Sequence, residues 1–359
     1  MLAFCLFCSL ASGANLTKKN RRTASVNQAR AIFTPPQLGK IRGGPWTEPT
    51  YADSTAGDNV DGEDLEVRHA VVQALGPYNG SVVVVDPSNG RVLSIVNQRI
   101  AFGPGFQPCS TIKVSVALAA LSEKLIEPKS KLRLNGKRMD LTHALAHSNN
   151  YFFATLGQNL GFEKVSYYVH RFGYGEKAGF DLPGEEPGRF PATPPSNGGV
   201  GMLTSFGEEI SQTPLQFAAL MSAVANGGTL YYLWRARTSE ESAGFRPRIK
   251  RQLAIGPLIS SITPGLRGAV EFGTAHRARQ NQWIAGKTGT CTEDHTHLGW
   301  FGSFNDIGGR KLVVVVLLTG GRAAIGAWAA AIAGAIYCQL EQADYFTARP
   351  RMAQHTIPP

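Results

Sequence analysis

Three short stretches hold the reactive chemistry of this chain. Ser110 and Lys113 stand three residues apart at the head of STIKVSVALAALSEKL (110–125). Ser, Ala, Leu and Lys dominate that run and neither Gly nor Pro interrupts it, so it predicts a helix on which residues three apart share a face. A hydroxyl and an amine can then meet. Ser110 falls in the first turn, where unpaired backbone N–H groups favour developing negative charge. Such a pair can act as a serine nucleophile with a lysine base. Ser148-Asn149-Asn150 puts a hydroxyl and a carboxamide at a predicted helix-to-helix break. They can relay a proton and grip a substrate amide, or simply cap the helices. Lys287-Thr288-Gly289-Thr290 ends a predicted strand. Gly289 permits close backbone approach, Lys287 brings positive charge and Thr288 a hydroxyl for a carboxylate; an edge strand with a solvated lysine is the other reading. Each stretch alone is commonplace, and together they make a site only if distant parts of the chain converge.

The elements that must bring them together are legible in outline. Val82–Val85, the turn Asp86-Pro87-Ser88-Asn89-Gly90 and Arg91–Asn97 predict a hairpin. Helices are expected at 110–125, 140–146, 151–160 and 163–171, followed by a long Gly- and Pro-rich connection over 173–208. Thr213-Pro214 reads as an N-cap with Pro at the first helical position, ended by Asn226-Gly227-Gly228. Thr263-Pro264 predicts a further helix start of the same kind. Residues 282–290 and 298–304 read as a strand pair, 312–319 as a buried strand and 323–342 as a closing helix. The order is strands, many helices, strands, helix. It predicts an α+β fold whose sheet takes strands from both ends of the chain, with a mostly helical region inserted between them.

Thirty-six Lys and Arg against 26 Asp and Glu give a formal charge of +10. The excess is scattered, with KKNRR (18–22) its one dense cluster, and no zinc-finger spacing, helix-turn-helix or aromatic RNA-binding signature accompanies it. No nucleic-acid partner is expected; attraction to an anionic membrane or wall polymer fits the charge. MLAFCLFCSLASGA (1–14) is an apolar run too short to span a bilayer and ends in small residues, so it reads as a signal peptide or truncated membrane anchor. Residues 15–64 read as a flexible linker, 65–345 as the catalytic domain and 346–359 as a tail.

Taken in the order SxxK, SxN, KTG, the three stretches match a set found in penicillin-binding proteins and class A β-lactamases. The chain resembles the penicillin-binding transpeptidase family. VVVVDPSNGRVLSIVN (82–97) resembles that family's opening hairpin and FGYGEKAGFDLPGEEPG (172–188) its connection; SQTPLQFAALMSAVANGG (211–228) and GAVEFGTA (268–275) resemble its later helices. The likeness runs over roughly residues 65–340 and departs at Cys109, where the family often has Gly. It implies a β-lactamase/transpeptidase-like fold and acyl transfer without cofactor or metal. Ser110 would attack the D-Ala-D-Ala stem peptide of peptidoglycan, or a β-lactam, with Lys113 as base. Burial and the nearby Lys287 would lower the Lys113 pKa. Ser148 and Lys287 would pass a proton to the leaving nitrogen and Asn150 would hold the substrate amide. Thr288 and Thr290 would bind a carboxylate beside Gly289, and the amides of Ser110 and Thr290 would form the oxyanion hole. The implied place is periplasmic or extracytoplasmic, secreted or held to the inner membrane by the N-terminus, with cell-wall synthesis proteins as partners.

The same chemistry serves a DD-transpeptidase, a DD-carboxypeptidase, a serine β-lactamase or a non-catalytic β-lactam sensor. A lactamase must hydrolyse its acyl-enzyme, which lowers a barrier of about 23 kcal/mol to about 15. Class A enzymes resemble one another in an E-x-x-x-N loop for this purpose. Here Glu176, Glu185 and Glu186 are followed four residues later by Phe180, Arg189 and Phe190, so the pair is missing and the carboxylates read as loop residues. A sensor would need a membrane segment and signalling domain that the chain gives no room for after residue 340. Cys109 and Cys291 flank the two proposed oxyanion amides. Two amides converging on one oxygen bring their neighbours within disulfide range, below ~7 Å between Cα atoms, and some class A carbapenem-hydrolysing enzymes look similar there; a disulfide and two reduced thiols are both open. His295 and His297 read as strand-connection residues and His147 as packing. Trp300-Phe301 is expected to anchor the sheet and to line the cleft.

Overall fold

A computed structural model describes residues 46–347 apart from residues 135 and 308. Residues 1–45, with the expected leader, Cys5, Cys8 and the 18–22 cluster, lie outside the described residues, as do residues 348–359 of the expected tail.

In chain order, α1 (Leu65–Leu75), β1 (Gly80–Asp86), β2 (Arg91–Val96) and α2 (Gln98–Phe102) come first. Then come α3 (Lys113–Ser122), the small hairpin β3 (Lys131–Leu134) and β4 (Lys137–Asp140), α4 (Leu141–Ala146), α5 (Asn150–Leu160), α6 (Phe162–Arg171) and α7 (Gly199–Phe206). They are followed by α8 (Pro214–Asn226), β5 (Thr229–Tyr231), α9 (Ser239–Ala243), β6 (Ile249–Gln252) and α10 (Gly256–Glu271). The chain returns through β7 (Ile284–Glu293), β8 (Thr296–Asn305), β9 (Val313–Gly320) and α11 (Gly326–Gln342).

Five strands make one antiparallel sheet in the order β2-β1-β9-β8-β7, so an early and a late strand meet where β1 pairs with β9, Val83 opposite Val315. The unbroken valine runs need no alternation because both faces are covered. Val82, Val84, Val314 and Val316 pack with α1 and α11 residues such as Val71 and Ile336. Val83, Val85, Val313 and Val315 pack with the helical region, including Val116, Phe217 and Leu220. This is the α+β architecture expected, and it leaves β7 at one edge of the sheet, where the third motif lies.

Several local expectations are corrected. The helix predicted over 110–125 opens with a 3-10 turn, Cys109–Ile112, and its α-helical part is α3. The connection over 173–208 contains α7. Thr213 caps α8 through a full capping box with Gln216, but Pro264 lies inside α10, which starts at Gly256-Pro257. A proline within a helix removes one N–H and costs about 3 kcal/mol, so its neighbours must hold the turn; here Leu266 and Ile262 are fully buried on that helix, and Thr263 Oγ1 bonds the Ile259 carbonyl at 2.7 Å. The strand pair is longer than expected and closes through Asp294 and His295, both at positive φ. Residues 46–64, expected as linker, are packed. Arg68 bonds Asp58 at 2.8 Å and Glu63 at 3.0 Å, and both carboxylates are buried. Asp58 also accepts from the Asn97 and Gln98 amides at 3.0 and 2.8 Å. The segment is held by charge-assisted bonds instead of an apolar stripe, which is why it carries no periodicity. At the other end Phe346, expected in the tail, is buried.

Candidate active site

The nucleophile candidate sits on a strained turn. Cys109 takes φ +51° immediately before Ser110, a left-handed conformation that favours glycine. The 3-10 turn then runs directly into α3, whose first residue is Lys113, and Lys113 Nζ lies 2.9 Å from Ser110 Oγ. The second stretch comes from the α4–α5 break. Asn149 is the N-cap of α5, its side chain accepting from Phe152 N at 2.9 Å. Ser148 turns the chain at φ +54°. Its two neighbours' capping duty leaves Ser148 and Asn150 to face the lysine: Lys113 Nζ is 2.8 Å from Ser148 O, 3.1 Å from Ser148 Oγ and 2.5 Å from Asn150 Oδ1.

Charge decides what that amine can do. Burial, and after it the Lys287 charge, bring the Lys113 pKa down to about 6, so near neutral pH it is mainly a neutral amine. A neutral amine has two N–H groups and one lone pair. The Ser148 carbonyl and Asn150 Oδ1 take the two N–H groups, and the lone pair is left for the Ser110 proton. Lys287 is fully buried and burial takes it to about 7; its Nζ donates to Thr288 O at 2.8 Å.

The third stretch lies on β7, Lys287 opposite Gly302 and Gly289 opposite Trp300. Gly289 is where the nucleophile turn rides on the strand: a Cβ there would stand 2.8 Å from Pro108 O and 3.1 Å from Thr111 Cγ2. Trp300 Nε1 donates to Gln107 O at 3.0 Å and Gln107 N to Glu293 Oε2 at 2.8 Å, fixing the same turn to the β7–β8 hairpin. Trp300 and Phe301 are both fully buried, so they anchor the sheet and do not line the cleft. Thr288 Oγ1 is 2.6 Å from Thr274 Oγ1, and Thr290 Oγ1 accepts from Gly326 N at 2.9 Å. Cys109 and Cys291 form a disulfide with Cα atoms 5.6 Å apart.

Lys113, Ser148 and Asn150 therefore gather at Ser110, and the Lys287–Thr290 stretch of β7 lies against the Ser110 turn. Thr274 and Gly326 join them unannounced. Thr274 reaches the site because its amide bonds Ala146 O at 3.1 Å, tying the segment after α10 to the α4 end; only its place in GAVEFGTA hinted at it. Glu185 is elsewhere in purpose. It is buried and accepts from Ala178 N at 2.7 Å and Gly179 N at 3.0 Å, closing the 173–188 loop on itself. Burial pushes its pKa up. His147 packs beside Phe272, ring centroids 5.7 Å apart, and His297 against Trp46 at 4.7 Å. Among the described residues no group of three His, Cys, Asp or Glu side chains is placed to hold a metal ion.

A serine–lysine pair on a helix, opposed by a Ser-x-Asn break and a Lys-Thr-Gly edge strand, on an α+β domain with a five-stranded sheet, defines the serine acyl-transfer class of folds. Residues 80–338 match the penicillin binding protein transpeptidase domain, and the chain belongs to that family. It is 28% identical over 314 residues to stage V sporulation protein D of Bacillus subtilis, covering 74% of this chain and 48% of the relative. To peptidoglycan D,D-transpeptidase MrdA of Haemophilus influenzae it is 22% identical over 338 residues, covering 71% and 52%. The chain thus spans about half the length of the curated relatives it matches. The fold is shared with Pseudomonas aeruginosa PBP2, solved in complex with WCK 5153, at a TM-score of 0.68, 22% identity and coverage of 83% and 81%.

Proposed function

We propose that this protein is a serine DD-transpeptidase that cross-links peptidoglycan stem peptides and is acylated by β-lactams. The observation that carries the reading is the buried Lys113 amine, depressed to about 6 and 2.9 Å from Ser110 Oγ. Ser110 Oγ attacks the carbonyl of the penultimate D-alanine while Lys113 Nζ takes its proton. The negative charge passes to the carbonyl oxygen, facing the amides of Ser110 and Thr290; losing one such donor typically costs on the order of 10²–10³ in rate. The C–N bond breaks, the proton returns through Ser148 to the leaving D-alanine amine, and a Ser110 ester remains. The amine of a second stem peptide displaces Ser110 and returns the hydroxyl its proton. Asn150 orients the substrate amide, burial and after it the Lys287 charge keep Lys113 neutral, and Thr288 and Thr290 hold the terminal carboxylate. The names of the relatives support this substrate class and a site of action outside the cytoplasm; no helix of the described residues is long and apolar enough to cross a membrane.

Among the described residues no carboxylate bonds Ser110, Lys113 or Ser148, and Glu185 is committed to two backbone amides. That favours a lasting acyl-enzyme over the carboxylate-dependent turnover of class A β-lactamases; a lysine-dependent class D turnover is separated by the mass measurement below. Incubation with penicillin and intact-mass measurement over time tests it. The expected result is a penicilloyl adduct persisting for hours and absent from Ser110→Ala. No adduct on the wild type overturns the assignment, and rapid loss with hydrolysed drug makes the protein a lactamase. Release of D-alanine from a stem pentapeptide with and without an added amine acceptor separates transpeptidase from carboxypeptidase.

A further inference from the structure

The Cys109–Cys291 disulfide joins the residue before Ser110 to the residue after Thr290. These are the outer neighbours of the two amides that the proposed function aims at the oxyanion. We propose that this cross-link holds the Ser110 amide turned toward the same point as the Thr290 amide, so that the acylation rate of the folded protein depends on the redox state of the pair. The inference rests on the proposed acyl-transfer reading.

Four observations carry it. Cys109 holds φ +51°, a conformation costly for any residue with a Cβ, directly on the bond leading to the Ser110 amide. With the sulfur tethered, that peptide cannot relax toward the ordinary helical region; untethered, it can rotate, and the Ser110 N–H turns with it. The strand and the turn touch through Gly289 against Pro108 O, a contact that fixes their approach but not the rotation of the Cys109–Ser110 peptide. Thr290 is held by its pairing with Gly299 and by the bond its hydroxyl accepts from Gly326 N, so the amide whose direction is left to the cross-link is that of Ser110. The fold does not need the link for its integrity: Gln107 is already bonded to Glu293 and Trp300 across the same seam, and Trp300 is fully buried.

The bond is also reachable. Cys109 is fully buried, whereas Cys291, on β7, is half-buried. A dithiol reductant attacks Cys291 Sγ, forming a mixed disulfide and expelling the Cys109 thiolate, which is then protonated. The reductant's second thiolate displaces Cys291, leaving two cysteine thiols and a cyclic disulfide, a two-electron exchange. In an oxidising compartment the pair stays closed and the site stays assembled.

The test compares penicillin acylation of the full chain before and after dithiothreitol, with thiol titration confirming the gain of two thiols and a melting curve confirming the fold. Cys109→Ser/Cys291→Ser serves as the permanently open form and, being insensitive to the reductant, controls for attack of dithiothreitol on the drug. Misplacing a reacting group by about 1 Å can cost on the order of 10²-fold in rate, so the acylation rate constant at saturating drug is expected to fall by about that factor in both open forms. The dissociation constant of the first complex should change far less. A merely structural link would lower the melting temperature and leave that rate constant as it was. Equal rate constants for the open and closed folded forms overturn the inference, and so does unfolding of both open forms at the assay temperature, which would make the link a staple for the fold. If the oxidised wild type itself is not acylated, it is the proposed function that fails.

Discussion

Asn150 Oδ1 lies 2.5 Å from Lys113 Nζ. It takes one N–H of a neutral amine and so helps to aim the lone pair at Ser110, but a negative charge in its place would do the reverse. An adjacent carboxylate raises a lysine pKa by about 1–3 units. Asn150→Asp is therefore expected to slow penicillin acylation at pH 7 by about 2–100-fold, with much of the rate regained at pH 9. Stopped-flow acylation at the two pH values checks this.

Lys113 and Lys287 also tie stability to pH. Their folded pKa values, about 6 and about 7, lie below the ordinary lysine value. Between those values and about 10.4 the unfolded chain binds the proton and the folded one does not, so unfolding takes up protons and stability rises with pH. The urea midpoint should increase from pH 7 to pH 9, and Lys287→Met should have a shallower rise over the same range.

Thr274 Oγ1 sits 2.6 Å from Thr288 Oγ1 and is expected to orient that hydroxyl toward a ligand carboxylate. Thr274→Val keeps the shape and removes one hydrogen bond, worth about 1 kcal/mol. The dissociation constant for penicillin should rise about fivefold, and the acylation rate constant at saturation should change little. A β-lactam lacking the carboxylate should bind both forms alike.

Cys109 carries a positive φ that its disulfide tolerates. In a Cys291→Ser background, Cys109→Gly should melt higher than Cys109→Ala by the equivalent of about 1–2 kcal/mol, the cost of a Cβ in the left-handed region. Differential scanning calorimetry of the two double variants decides it. The expectation also accounts for glycine being the family's common residue at that position.

What the sequence made legible was local. The Asp86–Gly90 turn between valine runs and the Thr213-Pro214 cap carry their own signals, and both appear as read. Ser110 and Lys113 were readable as a pair because a helix fixes residues three apart. The dipeptide Thr263-Pro264 misled because its chemistry matches a helix start, while burial of Ile262 and Leu266 carries α10 through it. Asp58 and Glu63 looked like linker polarity because their partner, Arg68, becomes visible only when α1 is placed against the hairpin. Thr274 has no local signature at all. It enters the site because the segment after α10 bonds Ala146, a contact between residues 128 positions apart. Convergence of the three motifs followed from their order; the direction in which Asn149, not Ser148, caps α5 did not.

The account stands on Lys113 being an uncharged base in the resting protein. The pH dependence of the penicillin acylation rate tests that most directly. The account predicts a rate that climbs through an apparent pKa of about 6 and is level by neutral to mildly alkaline pH. A rate that keeps climbing tenfold per pH unit up to about 10, as an ordinary lysine would impose, would contradict it.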